Sequence, residues 1–203
     1  PLPFSSSVYL ASEAIQRFGT EAQKSAWLPR LAGGECVATV AMAERAGRLA
    51  LDRLETRRSG SQISGTKVPV VDASIAEVAV VLARSEAGLE ACLVPLQQAG
   101  VSVEPVLTFD TSRGHSTVTF DGAEAEVLGD NTINPEDWES LLDGAAVLLA
   151  WEQLGLAETA LSQARGYALQ RFAFGRAIGS YQAIKHKLAN MYVKNTLARS
   201  NAY

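Results

Sequence analysis

Residues 167–191 read YALQRFAFGRAIGSYQAIKHKLANM. An Arg-x-x-Phe-Gly turn, made by Arg171, Phe174 and Gly175, lies between two helical segments, and Gln182 follows the glycine by seven residues. A guanidinium at a helix end is a permanently charged, planar fork suited to a phosphate or pyrophosphate. It is also favoured there by the helix dipole alone. Glycine just past a helix supplies the left-handed backbone that lets the chain reverse. The spacing therefore predicts helix, reversal, helix, with Arg171, Phe174 and Gln182 near the reversal.

Upstream of this stretch a helical period runs back to Pro135, which suits a first-turn position after Asn134, with Glu136 and Asp137 at the positive end of the dipole. Leu141, Leu142, Ala145, Leu148, Leu149, Leu156 and Leu161 carry the period to about Gln170, a helix of about 50 Å at 1.5 Å per residue. Downstream, the next helix opens near Ser180, and Tyr181, Ile184, Leu188 and Met191 mark its buried stripe. Two long helices cannot close a four-helix bundle, so an apolar face is expected to remain uncovered here.

From Cys36 to about Gly129 the pattern shortens to runs bounded by Gly, Pro, Asp and Ser. Candidate strands cover 37–42, 62–71, 78–83, 91–95, 101–107 and 117–120, and with no helical pattern between them they indicate an antiparallel sandwich or barrel. Residues 5–32 are helical again. Val8, Ala11, Ile15 and Phe18 share one face, Gly19 closes that helix, and Thr20 caps a second with Gln23 in the capping-box position. Trp27, Leu28 and Leu31 give this second helix its apolar face before Gly33-Gly34 ends it.

This order resembles the acyl-CoA dehydrogenase family, whose signature the 167–191 stretch shares through Arg171, Phe174, Gly175, Ile178, Gln182 and Leu188-Ala189. A second set, Gln23-Lys24 through Leu28-Pro29 to Gly34-Glu35, looks like the family's approach to its β domain. The resemblance implies an α+β fold: the end of an N-terminal helical domain at 1–35, a β domain at 36–130, and the first half of a C-terminal helical bundle at 131–203. It implies FAD as cofactor, an acyl-CoA substrate oxidised at its α,β bond, an electron-transfer flavoprotein as partner, and a homo- or hetero-oligomer, dimer or tetramer. In the family the arginine and glutamine of the turn reach FAD held by a neighbouring subunit. On that basis Arg171 is expected at the pyrophosphate, Gln182 on the adenine side, and Phe174 against the cofactor. The backbones of Met42, Ala43, Val70 and Val71 are expected to hold the flavin of the same chain.

The departures matter as much. Where the family usually has Thr-Glu-Pro-x-x-Gly-Ser-Asp, this chain has Ala43, Glu44, Gly47 and Arg48, so a threonine and a serine are replaced. After the Gly-x-Lys strand, Pro69 and Val71 stand where an aromatic residue and a hydroxyl residue are usual. Asp143-Gly144-Ala145-Ala146 stands where the family generally has an arginine and where some members carry the catalytic glutamate. The catalytic base is unassigned; Glu152 is the nearest carboxylate but lies two turns further on. These losses keep a second reading open, a non-catalytic partner subunit that completes a neighbour's FAD site.

Composition sets limits on the alternatives. Among 203 residues, 47% are apolar and 20% charged, with net charge −4 and dispersed basic residues, which argues against nucleic acid. Two distant cysteines, Cys36 and Cys92, and two histidines without ligand spacing predict buried thiols and no metal site. Gly60 and Gly65 have phosphate-loop separation, but Lys67 comes one residue late and a strand follows, so no helix dipole backs the loop. The longest apolar run, Ala145 to Trp151, is far short of a membrane span of roughly 20 residues, and a cytoplasmic protein is expected. The chain begins at Pro1 and stops at Tyr203 within a helical pattern, which reads as a piece of a longer polypeptide, incomplete on its own as a catalyst.

Overall fold

The computed structural model describes residues 2–45, 47, 49–130 and 132–203. Two compact units divide it, one ending at Ala145 and one beginning at Ala146.

The first unit opens with a π-helical stretch, Phe4–Ser12, that runs into α1 (Glu13–Phe18), followed by α2 (Glu21–Ala32). The capping box at α2 forms as expected: the Thr20 hydroxyl accepts from the Gln23 N–H at 3.2 Å, and the Gln23 carboxamide oxygen accepts from the Thr20 N–H at 3.0 Å. The strands are β1 (Ala38–Ala41), β2 (Arg57–Ser59), β3 (Gln62–Val71), β4 (Val78–Arg84), β5 (Leu89–Pro95), β6 (Val101–Val106), β7 (His115–Glu124) and β8 (Glu126–Val127). They form one sheet in the order β6-β7-β3-β2-β4-β5-β8, with β1 also on β4.

The sheet is mixed rather than wholly antiparallel, which corrects the expectation from the strand pattern. β1 runs parallel to β4, from Ala38 opposite Val78 to Ala41 opposite Val81, and β2 meets the far end of β4 in parallel at Arg57 and Arg84. One edge of β4 is thus shared by two strands that are separated in sequence by a long loop. β2 and β8 are three and two residues long, too short to show any alternation in sequence.

β4 and β5 explain why their sequences read as continuous apolar runs. Val78, Val80, Leu82, Ala91 and Leu93 pack with Ile15, Leu128, Trp138 and Leu141 in one cluster. Their neighbours Ala79, Val81, Ala83, Cys92 and Val94 pack with Ile63, Val70, Val118 and Phe120 in another. Both faces are covered, one by helices and one by the rest of the sheet, so the usual in–out alternation disappears.

β3 carries two irregularities, between Ile63 and Gly65 and between Lys67 and Val70, the second holding a cis Val68–Pro69 peptide. A proline has no N–H for the ladder and is accommodated at such a break. Gly65 has φ +143, and an added Cβ would come within 2.6 Å of Thr56, so this position is a close backbone approach.

α3 spans Pro135–Gln170, 36 residues, and α4 spans Gln182–Ala202. In the second unit Arg199 forks onto Glu158, linking α4 to α3. Leu156, Leu169, Tyr192, Val193 and Leu197 are each more than half exposed, the uncovered apolar face that the sequence pattern implied. No helix among the described residues is long and apolar enough to cross a membrane.

Candidate functional site

The reversal at Arg171 is a hairpin and not a direct helix–turn–helix, which corrects the sequence expectation. α3 ends at Gln170, and the Arg171 N–H still bonds to the Tyr167 carbonyl at 2.9 Å. Two short strands follow, β9 (Phe172–Ala173) and β10 (Arg176–Ala177), with Arg176 opposite Ala173 and Ala177 opposite Phe172. The corner residues are Phe174 at φ +53 and Gly175 at φ +78. Two consecutive left-handed residues make the mirror-image turn that suits a tight hairpin. Glycine accepts this without cost, whereas phenylalanine there is unusual and stores strain.

The hairpin is pinned at its base. The Ile178 N–H donates to the Arg171 carbonyl at 2.8 Å. The Tyr181 hydroxyl donates to the Ala173 carbonyl at 2.9 Å, and the Arg176 guanidinium lies 4.0 Å over the Tyr181 ring. The stripe of Tyr181, Ile184, Leu188 and Met191 that the sequence pattern predicts to be buried is half-buried at Tyr181, Ile184 and Leu188 and exposed at Met191, and the role of Tyr181 is to brace the hairpin. The next residue, Gln182, begins α4, and its carboxamide nitrogen is 3.5 Å from His186 Nε2. Arg171, Phe174 and Gln182 therefore belong to one braced substructure. All three are exposed, Phe174 at 97%, and no carboxylate among the described residues pairs with Arg171. An exposed guanidinium, carboxamide and aromatic ring in one braced segment are residue types that suit an anionic nucleotide with an aromatic base.

The second candidate region lies at the end of β1. Here the structure holds the end of β1 and the Met42–Ala43 segment that follows it against the end of β3: the Val68 N–H donates to the Ala43 carbonyl at 2.8 Å, and the Thr39 hydroxyl to the Val71 carbonyl at 2.6 Å. Val70 is fully buried in the sheet core, main chain included, and faces Ser116 across the ladder, so it offers no surface to a ligand. Ala43 and Val71 are half-buried and bring no hydroxyl. Arg48 lies outside the described residues.

Sequence reasoning missed the most unusual group here. Lys67 is fully buried, placed inward by the alternation of β3 after its first irregularity. Its Nζ donates to the Met42 carbonyl at 3.2 Å and to Glu44 Oε1 at 2.9 Å. Glu44 in turn accepts from the N–H groups of Glu55 at 2.6 Å and Thr56 at 2.8 Å. Burial pushes Lys67 down to about 8, against the opposing pull of Glu44. For Glu44 burial acts upward, but the hydrogen bonds from Glu55, Thr56 and Lys67 outweigh it and bring the carboxyl down to about 2. At neutral pH both groups are charged. The signal available in sequence was a lysine at an inward strand position.

Gly144 packs beside Arg17, whose Nη2 would lie 3.5 Å from an added Cβ, an ordinary contact. Glu152 is half-buried on α3. Both thiols are buried and free, and burial raises Cys92 to about 12. Among the described residues no cluster of three potential metal ligands forms.

Two family models match the chain: "Acyl-CoA dehydrogenase, N-terminal domain" over residues 2–35 and "Acyl-CoA dehydrogenase, C-terminal domain" over 138–203. A probable acyl-CoA dehydrogenase of Bacillus subtilis is 29% identical over 213 residues, covering 98% of this chain and 56% of that protein. The crystal structure of a glutaryl-CoA dehydrogenase from Mycobacterium smegmatis in complex with FADH2 is similar with TM-score 0.85 and 28% identity, over 98% of this chain and 53% of that one. Butyryl-CoA dehydrogenase from Megasphaera elsdenii gives TM-score 0.90 at 25% identity, over 99% and 56% respectively. The chain thus spans about half the length of the relatives it matches.

Proposed function

The chain belongs to the acyl-CoA dehydrogenase family, and from that premise we propose that it serves FAD-dependent α,β-dehydrogenation of an acyl-CoA thioester. The observation that supports this reading is the braced hairpin, along which Arg171, Phe174 and, just beyond it, Gln182 are each exposed. Arg171 binds the pyrophosphate of FAD held by a neighbouring subunit, where a charge-assisted bond contributes about 1.5–3 kcal/mol. Gln182 hydrogen-bonds the adenine side, and Phe174 covers the cofactor. The main chains of Met42, Ala43 and Val71 hold the flavin of the FAD in the same chain, and Val70, fully buried, does not reach it. When bound, FAD supplies the acceptor for the hydride leaving the β carbon. The proton α to the thioester carbonyl requires a carboxylate base, and no residue of this chain is assigned to it. An electron-transfer flavoprotein is the proposed recipient of the electrons, and a homo- or hetero-oligomer the proposed assembly.

A second reading rests on Ala43, Val71 and Gly144. With no hydroxyl at either flavin segment and no charged residue at Gly144, the chain contributes its hairpin to FAD held by a different subunit. Substitution separates the two readings. Arg171→Ala should weaken FAD binding in both. Bulky changes at Ala43 should weaken it only if this chain holds its own flavin. Unchanged flavin content in Arg171→Ala, in every assembly, would exclude both.

A further inference from the structure

Lys67 has no role in the function as stated above, yet its surroundings single it out. A buried ammonium is a poor way to gain stability, because desolvation offsets the attraction to its partner and an apolar side chain of similar size often does as well. A charged donor can do what a methyl group cannot: hold several acceptors at fixed places. Here one ammonium reaches the Met42 carbonyl just past the end of β1 and the Glu44 carboxylate two residues on. That carboxylate fastens the Glu55 and Thr56 N–H groups on the far side of the loop. A separate bond from the Val68 N–H, next to Lys67, holds the Ala43 carbonyl at 2.8 Å. Three stretches of chain, at 42–44, 55–56 and 67–68, are drawn together at one point in the fold. Both main-chain carbonyls of the Met42–Ala43 segment are engaged from β3.

We propose that Lys67 is the positioning residue of the Met42–Ala43 segment: through Glu44 and the Met42 carbonyl it fixes the main chain that faces the cofactor, in place of the side-chain hydroxyl this chain lacks at Ala43. The cofactor part rests on the function proposed above, whereas the positioning itself does not. Lys67 acts through the loop and touches no reacting atom.

Two readouts on the full 203-residue chain test this and separate the two layers. The first is amide hydrogen exchange in Lys67→Met and, as a variant that keeps the ammonium, Glu44→Gln. Exchange in peptides over residues 40–45 and 54–57 should accelerate at least tenfold in Lys67→Met, while peptides over β4 stay protected. Lys67→Arg should restore part of the protection. The second readout is FAD affinity by fluorescence titration, which should fall about tenfold in Lys67→Met. Unchanged exchange over 40–45 overturns the proposal whatever happens to FAD. Faster exchange with undiminished FAD affinity overturns the cofactor part. If the unsubstituted chain takes up no FAD alone or in an assembly, the function reading fails, and the exchange data alone decide the role of Lys67. Should Lys67→Met fail to fold, Glu44→Gln carries the test, with the same two peptides expected to loosen.

Discussion

Phe174 at φ +53 is the residue where conformational cost and proposed function meet most directly. A phenylalanine in the left-handed region costs roughly 1–2 kcal/mol relative to a residue that accepts it. Phe174→Gly is therefore expected to stabilise the hairpin by about 1 kcal/mol in urea unfolding, while FAD affinity falls. Stability that drops instead would show that the ring packs in the free chain. Glu44 gives a second test at this scale. Its carboxyl is held at about 2 in the folded state against an ordinary 4.5. Such a group adds stability that is fully present above the unfolded value and is lost as pH falls through the folded one. Urea midpoints should thus decline as pH drops from about 4.5 to 2, and Glu44→Gln should flatten that decline. An equally steep decline in the variant would place the acid sensitivity elsewhere.

The elements divide into those whose sequence announces them and those fixed by tertiary pairing. The 36-residue α3 and the Thr20 capping box were legible, because each depends on contacts within a few residues. β4 and β5 were legible as strands although not as doubly covered ones. The parallel pairing of β1 with β4 was not legible, since it joins positions about 40 residues apart in the chain. The Arg171 hairpin was hidden for another reason. Its strands have two residues each, and Phe174 at the first corner is not a turn-forming residue. At the site, the residue types of the Arg171 segment could be read from their spacing. The inward position of Lys67 could be read from the alternation of β3, but its pairing with Glu44 could not, because the two lie 23 residues apart and only tertiary folding brings them together. Two substitutions test the packing of the elements. Leu82→Ala, in a fully buried position, should cost about 2–5 kcal/mol. Gly144→Ala should add up to about 1 kcal/mol through helix propensity, since the new methyl meets only the flexible end of Arg17. Destabilisation by Gly144→Ala would show that Arg17 cannot yield.

At the scale of the molecule, the two units differ in how they bury apolar surface. The first encloses two cores that share β4 and β5. The second leaves Leu156, Tyr192 and Leu197 uncovered on its helices, and exposed apolar patches of this kind mark surfaces that associate. The central claim concerns the cofactor that such an assembly would hold. Its most direct test is the visible absorption spectrum after FAD is added and excess removed by gel filtration, recorded for the chain and for Arg171→Ala, each alone and in assembly with a related subunit. Retained flavin in the unsubstituted protein, reduced tenfold or more in affinity by Arg171→Ala, is the expected result. Equal retention in both, or a protein that stays colourless in every assembly, would contradict the account.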